Sequence, residues 1–163
     1  WWMVSPGNPL KNSSMMADFT RRFGSARAQA GRHPRMVVTD IENQMGTRYT
    51  YASITRLMRY FPRTRFVWIM GEDNLTTIHK WQHWKKIFSL MDVVIFNRNT
   101  TSKLPHKASF YALNQLKNKR IPAYSLRYEL PSKERASKKW GFVFTQQNDQ
   151  SSTRLRQQGK WRV

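Results

Sequence analysis

A run of five apolar residues that ends in a glycine and two carboxylates constrains this chain more than any other feature. Residues 66–70 are Phe-Val-Trp-Ile-Met, and Gly71, Glu72 and Asp73 follow them directly. An uninterrupted apolar run of this length is typical of a strand buried on both faces of a parallel sheet. In open parallel sheets, ligands bind at the carboxyl ends of the strands. The segment therefore predicts a buried strand that ends at a ligand-binding crevice.

Predicted strands and helices alternate along the rest of the chain. We predict strands over residues 1–4, 36–38, 66–70, 93–96 and 140–144, and helices over 14–30, 50–60, 75–90 and 109–119. Ser13 or Ser14 is the predicted N-cap of the first helix, and Gly31 and Pro62 follow the first and second helices. Each strand–helix–strand passage has the length of a right-handed crossover, which implies parallel strands with helices on both faces. The fold class predicted is α/β, as a single domain over residues 1–163.

Composition excludes several classes of protein. The chain has no cysteine, so a disulfide framework, a thiolate nucleophile and a Cys-based metal site are excluded. Its apolar runs are strand-sized and no signal peptide is visible, which predicts a cytoplasmic protein that does not span a membrane. The formal charge of +20 favours polyanionic partners, meaning nucleic acid, an anionic membrane or phosphate-rich small molecules. Because the charge is dispersed along the chain, it does not by itself indicate nucleic-acid binding.

Gly71 and Asp73 are candidate ligand contacts. A glycine lets the backbone approach a ligand closely, and a carboxylate two residues later can accept hydrogen bonds from ribose hydroxyls. The alternative is a tight strand-to-helix turn in which Asp73 is the helix N-cap. The sequence leaves both interpretations open.

The helix predicted after this turn carries Trp81 and two histidines. Trp81 lies about two turns into it and could either stack on a planar ring or pack in the core. His79 and His83 stand four residues apart, a spacing that can present two imidazoles to zinc. No glutamate lies between them and no third ligand is near, so we predict an exposed helix face and no metal site.

The segment Ser151-Ser152-Thr153, with Arg156 one turn further, is a candidate phosphate site. Hydroxyls and open amides at a helix N-terminus bind anions, and the arginine adds a charge that can reach the same phosphate. Lys11 follows the Pro- and Gly-containing turn after the first strand and could supply a second cation. The alternative is an ordinary N-cap beside surface arginines.

Four segments together match the pattern of one known family. They are residues 1–11, the motif Gly46-Thr47-Arg48-Tyr49-Thr50-Tyr51, residues 66–75 with 78–81, and Ser151-Ser152-Thr153 with Arg156. In order and spacing the chain resembles bacterial nicotinate-nucleotide adenylyltransferase, the enzyme that joins nicotinate mononucleotide to the AMP part of ATP. The resemblance implies a Rossmann-like nucleotidyltransferase three-layer fold with a parallel sheet, and a place in NAD biosynthesis.

The resemblance also implies which residues bind nicotinate mononucleotide. Tyr49 and Thr50 would lie at the pyridine carboxylate, which backbone amides would partly bind. Trp81 would stack on the nicotinate ring. Asn8 would lie close to the phosphates, beside Lys11.

The ATP site follows from the same resemblance. Gly71 and Asp73 would hold the adenosine ribose, and Arg98 would be a further contact near the nucleotide. The triphosphate would be bound by Ser152, Thr153 and Arg156. Lys11 and Arg156 would be the catalytic cations, and Mg²⁺ would bridge the phosphates of the substrates without a protein cage.

One departure from the family lies at the start of the chain. The sequence lacks the family's Gly-x-Phe-x-Pro-x-His-x-Gly-His motif, whose histidines contact the ATP phosphates. Because Trp1-Trp2 aligns with the second strand of the family, we expect a chain truncated before Trp1, with the first βα unit absent. For a protein that really began at Trp1, we expect no adenylyl transfer and a poorly stable sheet. Two alternatives are a non-catalytic nucleotide-binding relative and a basic nucleic-acid-binding module. The second lacks a recognisable basic helix or aromatic strand motif. A homo-oligomer is possible.

Overall fold

The computed structural model describes residues 1–7, 17–96 and 139–143. The strands are β1 Trp2–Met3, β2 Val38–Thr39, β3 Val67–Gly71, β4 Asp92–Phe96 and β5 Trp140–Val143. The α-helices are α1 Phe19–Ala30, α2 Ile41–Gln44, α3 Thr50–Tyr60 and α4 Trp84–Leu90, and two 3₁₀ turns span Glu72–Thr76 and Ile78–Lys80. The described residues form two compact units, one within residues 1–60 and one within residues 61–151. All strand pairs within each unit are parallel, which confirms the predicted α/β class.

In the first unit, helix α1 connects the two parallel strands. Trp2 pairs with Val38 and Met3 with Thr39. The side chain of Arg22 on α1 donates to the carbonyl oxygens of Ser5 at 2.6 Å and Pro6 at 3.1 Å. These bonds hold the turn that follows β1, and with it the direction in which the chain leaves the strand.

Helix α1 begins later than the sequence indicates. Residues 17 and 18 are not helical, and the Asp18 carboxylate caps the helix by accepting from the amides of Thr20 at 2.8 Å and Arg21 at 3.4 Å. The predicted start at residue 14 is therefore wrong, because a carboxylate that accepts two first-turn amides fixes the boundary at Asp18. The predicted caps Ser13 and Ser14 lie outside the described residues.

In the second unit, strands β3, β4 and β5 form a sheet in that order, with Val67 opposite Asp92 and Val93 opposite Trp140. One face carries the hydrophobic core, whose buried members are Met70, Leu75, Ile78, Phe88, Val93, Ile95 and Trp140. The strand at 66–70 was expected to be buried on both faces. That expectation is wrong for Ile69, which is 64% exposed; among the strands that the structure describes, β3 lies at the edge of this sheet and pairs with β4 alone.

The continuous helix predicted over residues 75–90 is also wrong. Two 3₁₀ turns come first, Trp81 is extended with φ −77° and ψ 139°, His83 is left-handed with φ 53°, and only then does α4 begin. The Thr77 hydroxyl bonds the Asn74 carbonyl at 3.4 Å, and the Thr77 amide bonds the same oxygen at 3.1 Å. Such local bonds compete with the hydrogen bonds of a continuing helix, and Trp81 packs on Trp68 of β3; together these contacts account for the break in the periodic pattern.

The other elements agree with the sequence more closely. Helix α3 has the predicted limits, and β3, β4 and β5 lie within one residue of their predicted ends. The short α2 was not predicted, and the helix predicted over 109–119 lies outside the described residues. Among the helices that the structure describes, none has the length and apolar character needed to cross a membrane.

Candidate active site

The carboxyl ends of the three strands in the second unit are level with one another. Gly71 pairs with Phe96, and Phe96 pairs with Val143. Because the strands are parallel, the residues that follow them emerge at a single edge, where open α/β sheets bind ligands. Glu72 and Asp73 leave β3 at this edge. Arg98 follows β4 by two residues but lies outside the described part of the chain.

The geometry at Gly71 separates the two interpretations of the Gly-x-Asp turn. Gly71 has φ −80° and ψ 153°, an extended conformation that any residue can adopt, so the turn does not require a glycine. Asp73 is exposed and lies inside the 3₁₀ turn, while the cap position is Gly71 itself and has no side-chain hydrogen bond. The alternative in which Asp73 is an N-cap is therefore wrong. What glycine provides here is the absence of a Cβ at the carboxyl edge of the sheet.

Trp81 is half-buried against the core of the second unit. Its ring centroid lies 5.6 Å from that of Trp68 at an interplanar angle of 48°, and its Nε1 donates to the Thr77 hydroxyl at 3.4 Å. Trp68 in turn forms an edge-to-face pair with Phe88, with ring centroids 6.4 Å apart. The indole is thus held on one side by core packing, and part of its surface remains exposed.

The two histidines do not share a helix face. His79 lies in the second 3₁₀ turn, and His83 lies beyond the extended Trp81, immediately before α4. The i, i+4 relation on which a zinc pair would depend is therefore lost. Within residues 1–7, 17–96 and 139–143, no group of three or more His, Cys, Asp or Glu side chains is arranged to hold a metal ion.

Tyr49 and Thr50 lie at the N-terminus of α3 in the first unit. Thr50 is the first helical residue, and Tyr49, which is 48% exposed, accepts the first intrahelical bond from the Ser53 amide at 3.0 Å. In the described part of the chain, the amides of Tyr49 and Thr50 donate to no acceptor. The first turn has no acidic residue, and the exposed Arg48 precedes it. Open amides, the helix dipole and a guanidinium together favour an anion here.

A buried hydroxyl pair beneath this helix end was not predicted from the sequence. Ser53 is fully buried and its Oγ donates to Thr47 Oγ1 at 2.8 Å, while the Thr47 amide donates to the Glu42 carbonyl at 3.0 Å. Gly46, just before Thr47, has φ 62°. The sequence signal was small: a serine at an inward position of an amphipathic helix, six residues after a threonine that follows a glycine.

The structure places five of the predicted site residues. Tyr49 and Thr50 belong to the first unit, and Gly71, Asp73 and Trp81 belong to the second, all close in sequence to the carboxyl end of β3. Six more lie outside the described residues, namely Asn8, Lys11, Arg98, Ser152, Thr153 and Arg156.

Comparison with known proteins agrees with the resemblance found in the sequence. The cytidylyltransferase-like family matches residues 1–158. The probable nicotinate-nucleotide adenylyltransferase of Ruegeria pomeroyi is 40% identical over 164 residues, which cover 99% of this chain and 72% of that protein. Proteins of the same description from Roseobacter denitrificans and Gluconobacter oxydans are 39% and 37% identical, again over 99% of this chain and over 77% and 80% of their own lengths.

These matches extend over almost the whole chain and agree with the parallel strands and crossover helices of a Rossmann-like nucleotidyltransferase fold. The chain belongs to the cytidylyltransferase-like family and, within it, to the nicotinate-nucleotide adenylyltransferases.

Proposed function

We propose that this protein transfers AMP from ATP to nicotinate mononucleotide, forming deamido-NAD and pyrophosphate, as a step of NAD biosynthesis. The similarity to probable nicotinate-nucleotide adenylyltransferases over 99% of the chain supports the reaction. The observation that carries it within the structure is the N-terminus of α3, where the open amides of Tyr49 and Thr50 follow the exposed Arg48. A pyridine carboxylate is an anion of the size that such a helix end accepts.

In this proposal Tyr49, Thr50 and Trp81 bind nicotinate mononucleotide, as the resemblance implies. The amides of Tyr49 and Thr50 would donate to the carboxylate, and the exposed part of Trp81 would stack on the pyridine ring. The packing of Trp81 on Trp68 supports this role, because a ring already held from one side loses little freedom when a ligand stacks on it. Asn8 and Lys11 would contact the phosphates.

ATP would lie at the carboxyl edge of β3, β4 and β5. The turn at Gly71 does not require a glycine, but the missing Cβ would allow the adenosine to approach the backbone closely. The exposed carboxylate of Asp73 would accept hydrogen bonds from the ribose hydroxyls. Arg98 would lie near the nucleotide. Ser152 and Thr153 would bind the triphosphate together with Arg156.

The reaction needs no covalent intermediate on the protein. A phosphate oxygen of nicotinate mononucleotide attacks the α-phosphorus of ATP, the bond from that phosphorus to the bridging oxygen breaks, and pyrophosphate leaves with the electron pair. Lys11 and Arg156 would align the phosphates and stabilise the negative charge that develops on them. We propose that Mg²⁺ is bound through the substrate phosphates, where it would supply further positive charge. The described residues offer no three-ligand cluster for it, whereas phosphate oxygens are ligands that this ion prefers.

The proposal is tested by pyrophosphate release from the full-length protein, which should require both ATP and nicotinate mononucleotide. Trp81→Leu keeps an apolar side chain but removes the ring, so it should raise the KM for nicotinate mononucleotide about tenfold and leave the KM for ATP within about twofold. Trp84→Leu is the matched control, because Trp84 is also half-buried and packs on Phe88, with the two ring centroids 6.4 Å apart.

Two outcomes would count against the proposal. Equal effects of Trp81→Leu and Trp84→Leu would show that the ring serves packing and not stacking. Binding of ATP without any pyrophosphate release, even with both substrates present, would favour the non-catalytic relative.

A further inference from the structure

Two buried hydroxyl groups connect helix α3 to the loop that precedes it. Ser53 Oγ donates to Thr47 Oγ1 at 2.8 Å and lies 3.3 Å from the Tyr49 carbonyl oxygen. Thr47 Oγ1 in turn donates to the Glu42 carbonyl oxygen at 3.4 Å. Ser53 is 0% exposed and Thr47 is 4% exposed, so water does not compete for these bonds. A chain of hydrogen bonds therefore runs from the helix, through the loop, to α2.

Other contacts hold the same loop. The Thr47 amide donates to the Glu42 carbonyl at 3.0 Å, and the guanidinium of Arg56, from the middle of α3, donates to the Met45 carbonyl. Gly46 between them has φ 62°, a conformation that a glycine adopts without strain. The loop thus has one well-defined path into the first turn of α3, and that path sets the direction of the amides of Tyr49 and Thr50.

We propose that Ser53 and Thr47 are positioning residues for nicotinate mononucleotide: their buried hydroxyl pair fixes the amides of Tyr49 and Thr50 in the orientation that binds the pyridine carboxylate. The proposal rests on the role proposed above for those two amides. Ser53 touches both ends of the segment 47–49, through its hydroxyl at Thr47 and its own amide at the Tyr49 carbonyl. Neither hydroxyl contacts the substrate in this scheme, so each acts through the backbone that it holds.

The hydroxyl pair is suited to this task because it is buried and bonds only to other groups of the protein. Two amides that must face one carboxylate lose binding energy quickly when their directions change, and a buried bond between fixed elements keeps them in place before the substrate arrives. Loss of the pair should therefore weaken binding of the nicotinate substrate and spare ATP, for which the proposed contacts lie elsewhere in the chain.

The test compares KM values of the full-length protein with each substrate varied in turn. Ser53→Ala and Thr47→Val should each raise the KM for nicotinate mononucleotide about tenfold, with the KM for ATP changed less than about twofold. Because both variants break the same bond, the double variant should be little worse than either single one. Thr47→Ser retains a hydroxyl and should restore the KM to within about twofold of the unmodified protein.

Thr55→Ala is the matched control on the same helix. The Thr55 hydroxyl donates to the Tyr51 carbonyl at 2.8 Å, but it has no bond to the loop, so its removal should leave both KM values within about twofold. If Ser53→Ala raises both KM values equally, or neither, the positioning role is overturned. The same holds if Thr55→Ala reproduces its effect.

Thr50→Pro distinguishes this inference from the proposal on which it rests. Proline at the first helical position removes the Thr50 amide and is tolerated there. An unchanged KM for nicotinate mononucleotide in Thr50→Pro would overturn the amide contact and the positioning role together. A raised KM in Thr50→Pro with no effect of Ser53→Ala would overturn the positioning role alone.

Discussion

Asp92 joins the amino ends of the three strands of the second unit. Breaking its ion pair with Arg65 tests how much this carboxylate stabilises the sheet. Asp92 is the first residue of β4 and is 2% exposed. Its carboxylate accepts from Arg65 Nη2 at 2.6 Å and from the amide of Lys139 at 2.8 Å. Arg65 lies just before β3 and Lys139 just before β5. One buried carboxylate thus ties the segments that enter all three strands.

The loss of stability expected when the ion pair is broken depends on how deeply Arg65 and Asp92 are buried. Removing one partner of a fully buried ion pair typically costs about 3–5 kcal/mol, because the other charge stays buried without compensation. The side chain of Arg65 is 34% exposed, so part of its attraction for Asp92 is screened by water. We therefore expect Arg65→Ala to cost about 2–3 kcal/mol, which at about 2–4 °C per kcal/mol lowers the melting temperature by roughly 4–12 °C. Asp92→Asn keeps an oxygen for the Lys139 amide and should cost less, about 1–2 kcal/mol.

The melting temperature and the free energy of unfolding of both variants are measured by thermal and urea unfolding, followed by circular dichroism. Arg63→Ala is the control, since Arg63 is an exposed arginine two residues away from Arg65. It should change the free energy of unfolding by less than about 0.5 kcal/mol. If Arg65→Ala and Arg63→Ala unfold at the same temperature, the buried pair does not hold the sheet and the reasoning is refuted.

Helix α1 supports two further predictions. Hydrogen bonds from the amides of Thr20 and then Arg21 hold the pKa of the Asp18 carboxyl below its ordinary value of 3.8. A lowered pKa means that the cap contributes stability above pH 3.8 and loses it as the pH falls through the folded-state pKa. Asp18→Ala should therefore lower the melting temperature at pH 7, with a difference from the unmodified protein that shrinks in acid; a difference independent of pH would contradict the cap. A Cβ added at Gly24 would meet no atom within 4 Å apart from neighbouring backbone of its own helix, so Gly24→Ala should raise the free energy of unfolding in urea by about 0.4–1 kcal/mol. Gly31 has φ 53°, so Gly31→Ala should lower the free energy of unfolding by at least that much. If Gly31→Ala stabilised the protein, an alanine would be shown to adopt the backbone conformation at position 31 without strain, and the prediction would be wrong.

The local sequence pattern was sufficient to predict the limits of a helix or strand where its apolar residues begin and end at those limits. Helix α3 has the predicted limits because its apolar face contains the buried Ile54 and Leu57, and Pro62 prevents its extension. Strands β3 to β5 were found because short apolar runs between polar residues have few other structures available. The parallel pairing of β3 with β4 followed from the length of the connection between them.

Prediction failed where a contact from another segment competes with local pattern. The residues from Leu75 to Leu90 have a helical period, yet Trp81 is extended and packs on Trp68 of β3. Nothing in the local sequence indicates that this contact forms. The late start of α1 has a local cause instead: Asp18, Ser13 and Ser14 are all acceptable caps, and only the structure shows that Asp18 accepts the first-turn amides.

The family and the reaction were determined by the sequence, because motifs such as Gly46 to Tyr51 and Phe66 to Leu75 keep their order and spacing over nearly the whole chain. The tertiary structure decided how those motifs present themselves: that Gly71 is extended, that Trp81 is held by Trp68, and that a buried Ser53–Thr47 pair lies beneath the amides of α3. The reason is that periodicity and spacing report on one segment at a time. The direction of an amide or the accessible face of an indole depends on atoms from segments distant in sequence.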